Sequence, residues 1–369
     1  MATRRVRLDG DAAETFGGLS VRAKRLQGGV REGLLEIELT AGTTRVVVLP
    51  DRGLGIWKMS VRDCELGWQS PIRGPVHPRF VPLVEPSGLG WLDGFDELVA
   101  RCGLVSNGAP DFTPEGRLRH GLHGRIANLP AHGVEAVLDD TAGTVTLTGA
   151  VDETRFLVHA LRMTTRLVLH ADRPRIAWTD TVENRSDRPA TIQMLYHVNL
   201  GPPLLGAGAE VVVPVAELAP RDAAAVPDVP TWNRYDAPRA GRGEQVHFMR
   251  LEPDAAGRAT ALLVAPEGGQ AASLSWRAAE LPCFTLWKNQ GGLADGYVTG
   301  LEPGTNYPNP RSFEEQQGRL VSLAPRAGIE FDLALEHHAG AAVAAVRQRI
   351  ASVANPRIFP RPQPGWSDV

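Results

Sequence analysis

The sequence is short of cysteine. Cys64, Cys102 and Cys283 are an odd three, far apart and without a CxxC pair. That pattern suggests neither a disulfide framework nor a zinc knuckle, and a reduced, cytoplasmic compartment is the economical expectation. Long apolar runs are missing too. No stretch approaches the roughly 18 uninterrupted apolar residues of a membrane helix, and MATRRVRLDGDAAETF has no apolar segment behind its arginines to form a secretory signal. Nor is there an excess of charge. With 39 Lys+Arg against 42 Asp+Glu in 369 residues, the net charge is −3, whereas a nucleic-acid binder normally carries a basic excess or stripe. Neither nucleic acid nor membrane is therefore expected as a partner.

What is present is turn-rich and β-patterned. There are 39 glycines and 29 prolines, 43% hydrophobic and 22% charged residues, the composition of a globular chain with many turns. Alternating apolar and polar runs occupy 34–50, 55–68, 144–153, 156–172, 175–186, 191–201, 210–218, 259–266, 271–277, 283–289 and 329–338. Strands at such short intervals, with few helical patterns between them, predict an all-β antiparallel sandwich. Two segments read as helical: 94–104 (GFDELVARCGL), and the Ala-rich 339–354, expected to be the longest helix and to lie near the C-terminus. The Pro-, Ala- and charge-rich 219–245 reads as a long loop within the sheet system. No repeat or boundary divides the chain, so 1–369 is expected to form a single domain.

Three constellations carry chemistry. RHGLHGRIANLPA (119–131) displays His120, His123 and Arg125 among glycines in a loop-like setting. In TIQMLYHVNLGPP (191–203), period-two alternation puts Gln193, Leu195, His197 and Asn199 on one face, with Met194, Tyr196, Val198 and Leu200 on the other. One face suits a core and the other a cavity. LWKNQGGLADGYVTGLEPGTNYP (286–308) ends one apolar strand at Lys288 and follows another with Glu302. A glutamate held near a histidine is common equipment for moving protons at neutral pH.

In this order, HGRIANLPA, YHVNLGPP and KNQ…GLEPGTN resemble the aldose 1-epimerase (galactose mutarotase-like) superfamily. More narrowly they resemble its DUF4432 branch, in which PDRGLGI (50–56) and RCGLVSNGAP (101–110) also find counterparts. The resemblance runs over about residues 35–335. It implies a large antiparallel β-sandwich, the supersandwich, with a sugar cleft on one concave face and a small-molecule carbohydrate as partner. It also implies His123 as a substrate-binding histidine, Glu302 as catalytic base and His197 as general acid. His197 stands two residues beyond the family position, which Leu195 occupies here; a shift of two keeps the strand face. The family's substrate-binding aspartate has no clear match, Asp236 being the nearest. Arg125, Lys288, Arg52 and Asn199 complete the expected binding set.

The implied reaction is anomer interconversion of a free sugar or sugar acid by acid–base ring opening, with no metal and no cofactor required. Two alternatives stand beside it. One is isomerisation or epimerisation beside a sugar carbonyl, with a divalent metal on His120, His123, His197 and Glu302. The other is a non-catalytic carbohydrate-binding protein using Trp68, Trp91 or Trp232 as stacking platforms. The sequence leaves the sugar and any homo-oligomer open.

Overall fold

The computed structural model describes residues 3–350 and 353–368. Two large sheets dominate it, one of nine strands and one of fourteen. Paired strands run antiparallel except where Glu217 and Leu218 meet Arg357 and Ile358. The smaller sheet contains Thr144–Arg155, His159–His170, Arg175–Asn184 and Gly328–Ala339 as consecutive neighbours. At the centre of the larger sheet lie, side by side, Val99–Leu104, Ala190–Leu200, Val298–Gly304, Cys283–Asn289 and Gln245–Leu251. The all-β sandwich with a short C-terminal helix is the observed fold. Most expected strands reappear within a few residues of their anticipated limits. No helix among the described residues is long and apolar enough to cross a membrane.

Alternation builds the core. Met194, Tyr196, Val198 and Leu200 pack in one apolar cluster with Trp178, Phe331, Leu333 and Leu335 from the smaller sheet. Burying a side chain of this size stabilises by about 1.5–3 kcal/mol. One polar bolt crosses that core. Arg101 donates to Asp180 at 2.6 Å, and Asp180 also accepts from Tyr196 Oη at 2.9 Å and Thr165 Oγ1 at 2.6 Å. Every charge in it is paired, as full burial requires.

Two helical expectations change. Residues 94–104 are not a helix: Gly90–Gly94 form a short 3-10 turn and Val99–Leu104 a wholly buried strand. That strand pairs with Ala190–Leu200 from Val99↔Val198 to Leu104↔Gln193. Its ladder satisfies the backbone, and Val99 and Gly103 are weak helix formers in any case. The Ala-rich helix is confined to Ala341–Arg349, the longest α-helix among the described residues. Residues 351 and 352 of the expected span lie outside them. The 219–245 segment begins within the strand Val215–Pro220, contains a 3-10 turn at Val226–Thr231, and is otherwise loop until Gln245.

Candidate active site

The face of the larger sheet turned away from the core carries the site. On Ala190–Leu200 the residues alternating with the core set are Leu195, His197 and Asn199. On Val298–Gly304 they are Gly300 and Glu302, and on Cys283–Asn289 they are Thr285 and Trp287. The register places Thr285 opposite Glu302 and Leu301 opposite Val198. Above these strands the loops bring in Trp91, Phe95 and His123. The result is a cavity of about 260 Å³ lined by His123, His197, Glu302, Thr285, Trp287, Arg221 and Glu244, among others.

At its floor His197 Nε2 and Glu302 Oε1 stand 3.2 Å apart. Asn199 fixes the imidazole. Its amide nitrogen donates to Glu97 O (2.9 Å) and His197 O (3.1 Å), so its Oδ1 accepts from His197 Nδ1 at 2.6 Å. A neutral His197 therefore carries its proton on Nδ1 and turns the Nε2 lone pair toward Glu302. Burial pushes the Glu302 carboxyl well above its usual range, with Glu244 adding to the rise. Burial, and then His123, pushes His197 well below the usual imidazole value. Both shifts place the single proton of the pair on Glu302.

Gly300 makes room for this contact. A Cβ there would collide with Glu302 Oε1 and come within 3.1 Å of His197 Cε1 and 3.2 Å of Trp287 Cε3. His123 sits above the pair with ring centres 5.3 Å apart, its ring edge-on to Trp91 at 4.6 Å. Its Nδ1 donates to Asn107 O at 2.9 Å, and burial lowers its pKa to about 4. At neutral pH its Nε2 is an acceptor. The left-handed backbone of His123 (φ 55°) continues into Gly124 (φ 71°). A Cβ on Gly124 would strike the carbonyl oxygens of Ser106 and Gly103, so glycine at 124 is a backbone requirement.

The structure thus brings His123, His197 and Glu302 together and places Asn199 behind His197. The other expected binding residues lie elsewhere. Arg52 is buried away from the cavity, donating to Glu97 Oε1 (2.6 Å), Asn128 Oδ1 (2.5 Å) and Gly94 O (2.7 Å). Because Glu97 O accepts from Asn199, Arg52 supports the site at one remove. Lys288 shares its strand face with Phe284 and Leu286 and points under the sheet. Its Nζ donates to Asp228 Oδ2 (2.5 Å) and Arg234 O (2.9 Å), and Asp228 Oδ2 also lies 3.0 Å from His247 Nε2. This buried cluster clamps the 219–244 segment, whose ends supply Arg221 and Glu244 to the cavity. Asp236 is exposed and paired with Arg242 at 2.6 Å. Arg125 does not line the cavity. His120 does not line the cavity, and among the described residues no group of three or more His, Cys, Asp or Glu is arranged to hold a metal.

The sequence reading missed several walls. Trp287 Nε1 donates to Glu244 Oε2 at 2.7 Å, and Arg221 Nη2 donates to Glu244 Oε1 at 2.7 Å. Strand alternation in CFTLWKN would have put Thr285 and Trp287 on the face opposite Lys288. Arg221 and Glu244, inside a segment read as loop, carried no periodic signal.

Residues 31–337 match the family model described as a domain of unknown function, DUF4432. The chain belongs to the DUF4432 family. Among solved structures, this DUF4432 protein resembles one from Klebsiella pneumoniae subsp. pneumoniae whose name offers it as a candidate aldose 1-epimerase. The two are 31% identical with a TM-score of 0.92, over 96% of this chain and 97% of that one. A galactose mutarotase-like protein from Clostridium acetobutylicum gives 14% identity and a TM-score of 0.59, over 88% and 99%. A candidate aldose 1-epimerase from Escherichia coli K12 gives 14% and 0.56, over 84% and 100%. These last two establish likeness of fold alone. No curated protein matches the chain.

Proposed function

We propose that this DUF4432 protein is an aldose 1-epimerase-like isomerase, interconverting the anomers of a free sugar or sugar acid. The observation that carries this reading is the His197–Glu302 pair, 3.2 Å apart at the floor of an aromatic-walled cavity. Ring opening needs a base at the anomeric hydroxyl and an acid at the ring oxygen. Two groups sharing one proton are suited to both tasks. With Glu302 ionised and His197 protonated, Glu302 takes the proton of the anomeric hydroxyl while His197 gives one to the ring oxygen, and the C1–O5 bond breaks. The pair is left with the proton on Glu302 and a lone pair on His197 Nε2, the arrangement that burial favours. After rotation about C1–C2, the same groups run in reverse. Glu302 returns a proton to the carbonyl oxygen, and His197 removes one from the C5 hydroxyl as the ring closes on the other face.

Polyhydroxylated ligands suit the walls. Thr285 Oγ1 and Trp91 Nε1 are buried without hydrogen-bond partners among the described residues, a costly state that sugar hydroxyls relieve. Trp91, Phe95 and Trp287 offer apolar surface for sugar C–H faces. Three buried, unpaired cysteines support a reduced, cytoplasmic setting.

The test is anomer exchange by NMR, screened over free aldoses and uronates. Wild type should equilibrate at least one of them. Glu302→Gln, which keeps shape but accepts no proton, should lower kcat by about 10²-fold or more with binding nearly intact. Wild-type turnover by that variant removes Glu302 from the base role.

A further inference from the structure

A second cavity of about 290 Å³, sharing no lining residue with the first, opens at the foot of the turn joining Thr144–Arg155 to His159–His170. Its polar wall is His159, Arg188, Arg311, Ser186 and Thr191, and it contains no carboxylate. Four other cavities of the molecule each contain at least two carboxylates beside their basic groups. The two arginines are held by neutral acceptors. Arg188 Nη2 donates to Leu157 O at 3.0 Å; Arg311 donates to Val105 O through Nη1 and to Thr191 Oγ1 at 2.6 Å through Nη2.

The surroundings reinforce this excess. After burial, the influences on His159 are Arg155, Arg125, His120 and Arg311, all of which hold its pKa down. His159 Nε2 is buried without a partner among the described residues. Carboxylates near Arg311 are Glu315, Asp111 and Glu153. Asp111 is occupied by Ser312 N and Oγ, both at 3.0 Å, and Glu153 by Leu104 N at 2.7 Å; Glu315 is exposed.

We propose that this cavity is an anion-binding site for the phosphoryl group of a small metabolite, seated between Arg188, Arg311 and His159. Two guanidinium forks and an imidazole match the charge and the oxygens of a phosphate dianion, and arginine holds such groups through paired hydrogen bonds. Thr191 adds a hydroxyl to the same wall, its oxygen accepting from Arg311 and its proton left to donate. The apolar remainder, including Val158 and Leu161, receives the uncharged part of the molecule. The assignment is independent of the reaction proposed for the main cavity.

The experiment is calorimetric titration of the full chain with inorganic phosphate, and separately with acetate, at constant ionic strength. Phosphate should bind saturably in the millimolar range or tighter, with acetate much weaker. Arg188→Gln, at an exposed position, and His159→Gln should each weaken phosphate by about tenfold or more, the scale of one lost charged hydrogen bond. Arg221→Gln in the main cavity should leave phosphate affinity unchanged. Absence of saturable binding, equal binding of acetate, wild-type affinity in Arg188→Gln, or loss of binding in Arg221→Gln would each overturn the assignment.

Discussion

Lys288 was expected to touch substrate, and its place under the sheet predicts a different outcome for its removal. In Lys288→Met the stem still fills its apolar slot, but the donors to Asp228 Oδ2 and Arg234 O are lost. Asp228, with a side chain only 6% exposed, keeps His247 at 3.0 Å and Arg242 at 3.8 Å. Breaking a buried pair by removing one partner costs about 3–5 kcal/mol. Arg242 can close some of that gap, so about 3 kcal/mol is expected. The assay is equilibrium unfolding in urea followed by tryptophan fluorescence. The double variant Lys288→Met/Asp228→Asn leaves no uncompensated charge, and should cost at least about 1 kcal/mol less than the two single changes summed.

The deficit should also vary with pH. In the wild type, Lys288 pushes the His247 pKa down while Asp228 pushes it up, with burial the larger lowering influence. Without Lys288 the folded His247 value rises. A group raised in the folded state stabilises at low pH and loses that contribution as pH climbs through its folded pKa. Lys288→Met should therefore be less impaired near about pH 6 than near about pH 8. A loss below about 1 kcal/mol, additive behaviour in the double variant, or lost sugar binding at unchanged stability would refute the clamp and restore Lys288 to the binding set.

Gly300→Ala should lower kcat by about 10²-fold while the protein still folds, because the new methyl displaces Glu302 from His197 and small misplacements of reacting groups are costly; anomer exchange and a thermal melt check both halves. The pH–rate profile should be bell-shaped, since the pair works with one shared proton. Its acid limb should lie below the ordinary imidazole range and its alkaline limb above the ordinary carboxylate range, both belonging to the pair as a whole. Burial raises the Glu153 pKa to about 7, so its contribution to stability is full at low pH and lost as pH rises through about 7. Glu153→Gln should gain on wild type by about 2–3 kcal/mol between about pH 4.5 and pH 8, measured by urea unfolding at each pH.

Much of the architecture was legible because strand alternation is a local signal. MLYHVNL reads directly as Met194, Tyr196 and Val198 toward the core with His197 on the other face, and the structure keeps that parity. Tertiary pairing decided the segment where the reading failed. GFDELVARCGL has enough apolar spacing for two or three helical turns, yet its second half becomes Val99–Leu104, held by backbone bonds to a strand some ninety residues later. No local pattern reports that partner.

The site residues divide along the same physical line. His123, His197 and Glu302 were findable because each combines a proton-transferring side chain with a backbone peculiarity: a His-Gly turn, a polar strand face, and a glycine two positions before the glutamate. Lys288 and Arg52 were misplaced because a charge in a strand or turn suggests an open surface, unless its counter-charge is known. The counter-charges are Asp228, sixty residues from Lys288, and Glu97, forty-five residues from Arg52. Burial of a cation depends on such a partner arriving, because desolvation without one is prohibitive. Lys288 did carry a local warning: it continues the Phe284–Leu286 side of its strand, where only a paired charge can remain. Parity therefore outranks residue type in assigning a charged strand residue to a cleft, and by that rule Thr285 and Trp287, rather than Lys288, belong with Glu302.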